Sequence, residues 1–156
     1  MEIERKWLVD IKMYQTMIKS IDSIETRVIT QYYLNTIKDD WLIRVRSINN
    51  EIFILELKSK GFLSREEIGY FISEDEYIYT IARCVSSINK TRYTFIEQDT
   101  RFEVDIYNDH DFVTCEIEFI SEEHAKEFTP PEWCTEEITY LHKYKNVALA
   151  KQLKKA

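Results

Sequence analysis

The sequence has few of the residues that build phosphate-binding loops and disulfide frameworks. Only two of its 156 residues are glycines, Gly61 and Gly69, so neither a Walker loop nor a dinucleotide-binding fingerprint can be built. Its three cysteines are an odd number without CxxC spacing, which indicates neither a disulfide framework nor a thiolate zinc site. If this protein binds phosphate groups, side chains must do it.

Long apolar runs and an excess of basic residues are also absent. No apolar run approaches the ~20 residues of a membrane span, and no basic-then-apolar signal region opens the sequence. The formal net charge of −7 argues against nucleic acid as a partner, because nucleic-acid-binding proteins usually carry a broad basic surface. We therefore expect a cytoplasmic protein that contacts neither membrane nor nucleic acid. With 44% hydrophobic and 31% charged residues, the composition predicts one globular domain over residues 1–156.

The first strand shows the pattern that organises the chain. Side chains alternate between the two faces of a strand, so Glu2, Glu4 and Lys6 share one face while Ile3 and Trp7 share the other. A single solvated charged face is ordinary in an antiparallel sheet. Here the same separation of charged and apolar faces recurs in strand after strand, and this repetition favours a functional interpretation.

The recurring pattern predicts eight strands, near residues 2–9, 27–35, 41–47, 53–58, 64–72, 89–96, 101–107 and 112–120. Helical spacing predicts a helix over residues 11–24, a second from the N-cap Ser73 to about Cys84, and a short one over residues 121–128. A further helix is predicted from the N-cap Asn146, with Lys151, Lys154 and Lys155 at its basic end. The turn between the second and third strands is placed at residues 38–40. Strands joined mostly by short turns favour an α+β, mainly β protein with an antiparallel sheet or closed barrel.

The charged faces together hold too many charges to be buried in a dry interior. They must face water or a highly charged ligand, with the apolar faces packed outward against the helices. Carboxylates without histidine or cysteine suit hard cations such as Mg²⁺ or Mn²⁺, whereas clustered Arg and Lys match phosphate oxygens. A metal together with a polyanion satisfies both sets, which comprise Glu2, Glu4, Glu67, Glu103, Asp105, Glu116 and Glu118 with Lys6, Arg44, Arg46, Lys58, Lys90 and Arg92.

The N-terminal Glu2-x-Glu4-x-Lys6 resembles the ExExK signature of the CYTH superfamily, the triphosphate tunnel metalloenzymes. The resemblance continues in order along nearly the whole chain, through Arg44-Val45-Arg46, Lys58, Glu67, Lys90-Thr91-Arg92-Tyr93, Glu103-Val104-Asp105, Glu116-Ile117-Glu118, Ile138-Thr139 and Tyr144-x-Asn146-x-x-Leu149-Ala150. It implies an eight-stranded antiparallel closed barrel that forms a charged tunnel, with helices packed outside.

The resemblance also implies roles for individual residues. The phosphate ligands are expected to be Lys6, Arg44, Arg46, Lys58, Lys90 and Arg92, and the ligands of Mg²⁺ or Mn²⁺ to be Glu2, Glu4, Asp105, Glu116 and Glu118. Glu67, Glu116 and Glu118 are the catalytic candidates, since one of them or a second metal would activate the attacking water. The family commonly has another glutamate two residues after Glu67, where this chain has Gly69. Lys143 or Lys145 would add a terminal phosphate contact.

The expected activity is metal-dependent hydrolysis of the terminal phosphoanhydride of a small triphosphate, with inorganic tripolyphosphate as the first choice. A class IV adenylyl cyclase or a thiamine triphosphatase on the same fold is the second interpretation. A module that binds nucleotides or polyphosphate without turnover is the third. The sequence leaves open whether the protein is a monomer or a homodimer.

Overall fold

The computed structural model describes residues 1–34 and 41–153, and these form a mainly β structure whose antiparallel sheet is nearly closed into a barrel. The strands are β1 Glu2–Val9, β2 Glu25–Tyr33, β3 Leu42–Ile48, β4 Ile52–Lys58, β5 Ser64–Arg65, β6 Glu67–Ile72, β7 Ser86–Glu97, β8 Thr100–Tyr107, β9 Val113–Glu118, β10 Cys134–Glu137 and β11 Lys151–Gln152. The helices are α1 Ile11–Ile18, α2 Glu74–Ile81, α3 Glu122–Glu127 and α4 Asn146–Leu149, with a 3₁₀ turn at His142–Tyr144. The predicted fold class is confirmed.

The strand order explains how the barrel nearly closes. The sheet runs β10-β1-β9-β8-β7-β2-β3-β4-β6, and β5 pairs with β1. Residues 64 and 65 therefore lie beside β1, whereas residues 67–72 lie beside β4. One continuous stretch thus joins the two ends of the sheet, and its charged face turns inward.

The apolar faces pack outward, as the alternation predicts. Trp7, Phe95 and Cys115 belong to the largest cluster of buried hydrophobic residues, and α1 contributes Tyr14 to it. The partly buried Phe128, just after α3, packs against this cluster. A second cluster packs α2 against β3 and β4, and a third packs α4 against residues of β2 and β7. Because the helices cover the outside, the inside of the barrel can remain polar.

Two tight turns fix the register of neighbouring strands. Asn49 and Asn50 join β3 to β4 with φ angles of 53° and 55°, and Gln98 and Asp99 join β7 to β8 with φ angles of 50° and 61°. Two successive positive φ angles match the twist of a β-hairpin, and asparagine tolerates this region well. Both connections are therefore tight hairpin turns.

Several predicted element limits were wrong. The first helix ends at Ile18 and not near residue 24, although Ile21 still packs on the core that α1 covers. The strand predicted over residues 64–72 is interrupted at Glu66, whose backbone amide and carbonyl both bond Ser59. Three short strands, β5, β10 and β11, accompany eight longer ones within the residues described.

The C-terminal prediction also needs correction. Asn146 is the first residue of the short α4 and not an N-cap, and Lys151 lies in β11, which pairs with β7. The predicted turn at residues 38–40 and the basic residues Lys154 and Lys155 lie outside the described residues. Within those residues, no helix is both long and apolar enough to cross a membrane.

Candidate functional site

The register of the strands turns the predicted charged residues into the barrel. In the first and last long strands, Glu4 lies opposite Glu118 and Lys6 lies opposite Glu116. Pairs of opposite residues in an antiparallel sheet share a face, so these four side chains stand together. The same rule brings Arg92 beside Asp105.

These inward faces surround a cavity of about 200 Å³. Its lining is almost entirely charged and includes Glu2, Glu4, Arg27, Arg44, Arg46, Lys58, Arg65, Glu67, Arg92, Glu103, Glu116, Glu118 and Asn146. Nine of the predicted site residues line it, and they come from six strands spread along the sequence. Alternation along each strand, followed by barrel closure, is sufficient to gather them.

Cations crowd one another in this cavity. Burial and the neighbouring charge of Arg44 lower the pKa of Arg46 to about 10. Arg46 donates two hydrogen bonds to the neutral Gln31 Oε1, at 3.1 and 2.8 Å, and lies 3.4 Å from Glu56. Burial and the charges of Arg44 and Arg65 lower the pKa of Lys58. Cations that depress one another's pKa favour a bound anion between them.

Carboxylates crowd one another in the same cavity. Burial, together with the charges of Glu116 and Glu2, raises the pKa of Glu4 to about 8. Burial alone would raise the pKa of Glu2, but the hydrogen bond from Glu67 and the charges of Lys58 and Arg65 hold it well below the usual range. Glu4 therefore lacks enough positive charge around it, which favours a bound cation.

Glu67 is hydrogen-bonded to two neighbouring carboxylates. Burial and hydrogen bonds to the Glu2 and Glu56 carboxylates raise the pKa of Glu67 to about 9, so it is protonated at neutral pH in this arrangement. The Glu67 carboxylate lies 3.9 Å from the Lys58 ammonium. Gly69 lies opposite Glu56, and a Cβ at this glycine would meet only ordinary contacts with Ile54 and Glu56.

Two predicted ligands lie behind the cavity wall. Lys90 and Asp105 are both fully buried and form an ion pair of 2.9 Å. Asp105 also accepts two hydrogen bonds from Arg92, at 2.8 and 2.9 Å, and the cations outweigh burial and hold its pKa low. Burial lowers the pKa of Lys90 to about 7. In this arrangement Lys90 and Asp105 position Arg92, and their predicted roles as phosphate and metal ligands stay predictions.

Lys6 lies in a smaller pocket that adjoins the main cavity and has a volume of about 40 Å³. Its Nζ donates to the carbonyl oxygen of Tyr144 at 2.7 Å and lies 3.6 Å from Glu116. Of the two lysines that sequence left as alternatives, Lys145 lines this pocket, whereas Lys143 lies over the Tyr144 ring. Lys145 is therefore the better placed for a terminal phosphate.

Sequence reasoning missed several lining residues. Arg65 donates to Glu2 at 3.1 Å and has the same position in the alternation as Glu67, so the pattern could have found it. Arg27 begins the second predicted strand and lines the cavity. Glu56, which has the same position in the alternation as Lys58, was also missed, although it lies 3.2 Å from Arg44.

Asn146 was interpreted as a helix cap, yet its side chain points inward. Its Oδ1 accepts hydrogen bonds from Tyr107 at 3.2 Å and from Lys90 at 3.4 Å, and Asn146 lines the cavity. Only the tertiary position of α4 reveals this role, because asparagine before an apolar segment is an ordinary N-cap signal.

The carboxylates of the cavity are the type of ligand that a hard metal ion prefers. Mg²⁺ and Mn²⁺ prefer carboxylate oxygens, and Glu4 with Glu2, Glu116 and Glu118 supplies them from two neighbouring strands. As the side chains stand in residues 1–34 and 41–153, no group of three acidic, histidine or cysteine residues is arranged to hold a metal ion. To bind a metal ion, these carboxylates would therefore have to leave their present ion pairs, such as the 3.2 Å contact of Glu2 with Lys58.

The class that the fold and the site define is a nearly closed antiparallel barrel whose cavity is lined by clustered cations and carboxylates. Comparison with known proteins agrees with this class. A family model described as the CYTH domain matches residues 1–147, and the chain belongs to the CYTH domain family. The family resemblance predicted from sequence is thereby confirmed.

Individual relatives are similar over most of the chain. An inorganic triphosphatase of Nitrosomonas europaea is 35% identical over 158 residues, which cover 96% of each protein. The crystal structure of an inorganic triphosphatase superposes with a TM-score of 0.64 at 32% identity, covering 96% of this chain and 97% of the other. A putative adenylate cyclase of Bacillus halodurans superposes with a TM-score of 0.60 at 19% identity over 81% of this chain and 84% of the other, which shows a shared fold.

Proposed function

We propose that this protein hydrolyses the terminal phosphoanhydride of a small triphosphate, with inorganic tripolyphosphate as the best substrate, and that the reaction depends on Mg²⁺ or Mn²⁺. The observation that carries the proposal is that one cavity holds both a cluster of cations and a cluster of carboxylates. Arg46 with Arg44 and Lys58 favours an anion, and Glu4 with Glu116 favours a cation. A triphosphate with a bound metal neutralises both clusters together.

The similarity to an inorganic triphosphatase at 35% identity supports an enzyme over a module that only binds. Gly69 removes one carboxylate that the family commonly has, but Glu4, Glu116 and Glu118 still line the cavity. That the protein is cytoplasmic and does not bind nucleic acid stays a prediction from the sequence.

Phosphoryl transfer needs alignment and charge neutralisation more than covalent chemistry. Arg44 and Arg46 lie on one strand and Arg92 on another, so they hold phosphate oxygens from different sides. Charge on those oxygens grows as the anhydride breaks, and fixed cations stabilise it without rearranging. Lys6 and Lys145, in the adjoining pocket, extend this positive lining towards the end of the phosphate chain.

A metal ion bound at Glu2, Glu4, Glu116 and Glu118 would neutralise phosphate oxygens and lower the pKa of a bound water. Asp105 completes the proposed set, but its oxygens would first have to leave Arg92 and Lys90. Arg92 also lies 3.7 Å from Glu116, so the cation and anion sites are adjacent.

The attacking water must lose a proton to a carboxylate of the cavity. Glu116 is held by Lys6 and Arg92, and Glu67 lies beside Lys58. No ion pair of Glu118 occurs within the described residues, and Glu118 lines the cavity. We therefore assign the proton-accepting role to Glu118 before Glu116 and Glu67.

An organic triphosphate is the second candidate, and one cavity favours it. Beside Lys58 and Arg65 lies a space of about 310 Å³ with an apolar floor formed by Leu42, Val147 and Ala148. Such a floor can contact a base or another ring of a thiamine or nucleoside triphosphate. The relative at 35% identity is an inorganic triphosphatase, which is why the bare polyanion remains our first choice.

A parallel assay of tripolyphosphate, ATP, GTP and thiamine triphosphate, with Mg²⁺ and with Mn²⁺, tests the proposal. We expect the highest kcat/KM for tripolyphosphate, because an attached nucleoside adds no transition-state contact. Products must be identified by chromatography. A higher kcat/KM for an organic triphosphate, or cyclic AMP with pyrophosphate, would favour the second candidate. Tight binding without product would favour a binding module.

A further inference from the structure

The strand β6 has an edge that no other strand occupies within residues 1–34 and 41–153. It pairs with β4 over its whole length, from Glu67 opposite Lys58 to Ile72 opposite Phe53. The stretch that continues to β1 leaves the sheet edge before Glu67, because β5 ends at Arg65. A free edge exposes backbone donors and acceptors that can pair with another strand.

The direction of these backbone groups follows from one hydrogen bond. The Ser59 amide donates to the carbonyl oxygen of Glu66 at 3.0 Å, so Glu66 directs its backbone groups towards β4. Directions alternate along an antiparallel strand. The backbone groups of Ile68, Tyr70 and Ile72 therefore face β4, and those of residues 67, 69 and 71 face the free edge.

This edge lacks the features that normally block association. Residues 68–72 contain neither charge nor proline, in a chain that is 31% charged. Tyr70 is 58% exposed and Phe71 is 82% exposed. Edge strands are usually protected by lysine, proline or a bulge, and β6 has a regular register throughout. An unprotected apolar edge in a strongly charged protein points to an occupied one.

The sequence of β6 is complementary to itself in one antiparallel register. With a two-fold axis through Tyr70, the residues that direct their backbone groups outward meet, Gly69 of one copy opposite Phe71 of the other. The same register places Ile68 opposite Ile72. An aromatic ring lying across a strand glycine covers its bare backbone, and a cross-strand pair of this kind stabilises a sheet.

Other registers of the same geometry are less favourable. A shift that centres the axis on Gly69 brings the two glycines together and sets Glu67 opposite the exposed Phe71. Among the residues that the structure describes, nothing requires glycine at position 69, because a Cβ there would meet only ordinary contacts and its φ is not positive. The space left by Gly69 is explained if Phe71 of a second copy fills it.

We propose that β6 pairs antiparallel with β6 of a second copy of this chain, so that the protein forms a two-fold symmetric dimer through its sheet edge. A two-fold interface uses the same patch on both copies and closes at two subunits. Each copy carries a net charge of −7, and repulsion between the two copies weakens the dimer. We therefore expect the dimeric fraction to change with protein concentration.

Sedimentation velocity from about 10 µM to about 1 mM measures the association. Tyr70→Lys sets two ammonium groups opposite each other at the axis, and Phe71→Pro removes an edge-facing amide while leaving the pairing with β4 intact. Both should raise the dissociation constant about tenfold or more. Val28→Lys is the matched control, since Val28 is 55% exposed on β2, away from this edge, and should leave it unchanged.

Hydrogen exchange followed by NMR identifies the edge directly. The amides of Gly69 and Phe71 should exchange more slowly as the protein concentration rises, while those of Ile68 and Tyr70 are protected at every concentration by β4. Circular dichroism confirms that the variants fold. A protein that stays monomeric, forms larger assemblies, or dimerises equally well with Tyr70→Lys and Phe71→Pro would overturn the proposal.

Discussion

Arg46 and Arg92 both line the cavity, yet the structure predicts different effects on stability when each is removed. Arg46 bonds a neutral amide, Gln31, and lies 3.4 Å from Glu56, a carboxylate that Arg44 binds more closely. Burial and the charge of Arg44 lower the pKa of Arg46. Arg92 binds Asp105 through two hydrogen bonds and Glu103 through a third of 2.6 Å. Arg46→Gln and Arg92→Gln therefore form a matched pair, since both remove one positive charge from the same cavity.

The expected magnitudes follow from these partners. A charge-assisted contact contributes about 1.5–3 kcal/mol, so Arg46→Gln should weaken triphosphate binding about 10- to 150-fold. Its amide can still donate to Gln31, and the repulsion from Arg44 disappears, so the free energy of unfolding should change by less than about 1 kcal/mol. Arg92→Gln leaves buried carboxylates without their main partner and should lower the free energy of unfolding by about 3–5 kcal/mol.

Calorimetry with a non-hydrolysable imido analogue of tripolyphosphate measures affinity, and urea unfolding measures stability. The reasoning is refuted if Arg46→Gln binds the analogue as tightly as the unsubstituted protein. It is equally refuted if Arg46→Gln is destabilised as much as Arg92→Gln, because both arginines would then serve mainly to hold the barrel together.

Three further predictions concern other parts of the molecule. Arg5 bonds Glu137 and two carbonyl oxygens near α3, so Arg5→Ala should lower the free energy of unfolding by about 2 kcal/mol in urea. The hydrogen bond from Arg5 lowers the pKa of Glu137. The stability that this pair contributes is therefore fully present above about pH 4.3 and is lost as the pH falls through the folded-state pKa. If Arg5→Ala lowered the free energy of unfolding equally at every pH, this explanation would be contradicted. Burial and the charges of Glu116 and Glu2 raise the pKa of Glu4 to about 8, so folding near pH 7 requires this carboxyl to take up a proton; without metal, Glu4→Gln removes that cost and should raise the melting temperature at pH 7, while metal-dependent turnover is lost. Asn50→Gly should stabilise the protein by up to about 1 kcal/mol in thermal unfolding, because glycine suits the φ of 55° in this turn, and a destabilised variant would exclude that explanation.

The alternation of charged and apolar residues predicted most of the barrel. In the strands with Glu4, Arg46 and Glu116, a period of two separates the faces without ambiguity, and the tight turn at Asn49 fixes the pairing. Sequence therefore identified which face turns inward. It could not show how far inward each side chain reaches, and Asp105 proved to lie behind Arg92 and not on the cavity surface.

The remaining errors arise where tertiary contacts override local pattern. Ile21 continues the helical spacing and contacts the core, but the helix has already ended at Ile18. Glu66 interrupts a strand because Ser59 takes both of its backbone groups. Asn146 enters the cavity only because α4 packs across the barrel end, and no local signal distinguishes it from a cap.

Phosphate release from tripolyphosphate, measured with Mg²⁺ or Mn²⁺ and again in excess chelator, tests the central claim most directly. The account predicts release with either metal, little release in chelator, and little in the double variant Glu2→Gln, Glu4→Gln even when metal is present. Hydrolysis that continues undiminished in chelator, or at the unsubstituted rate in the double variant, would contradict a metal held by these carboxylates.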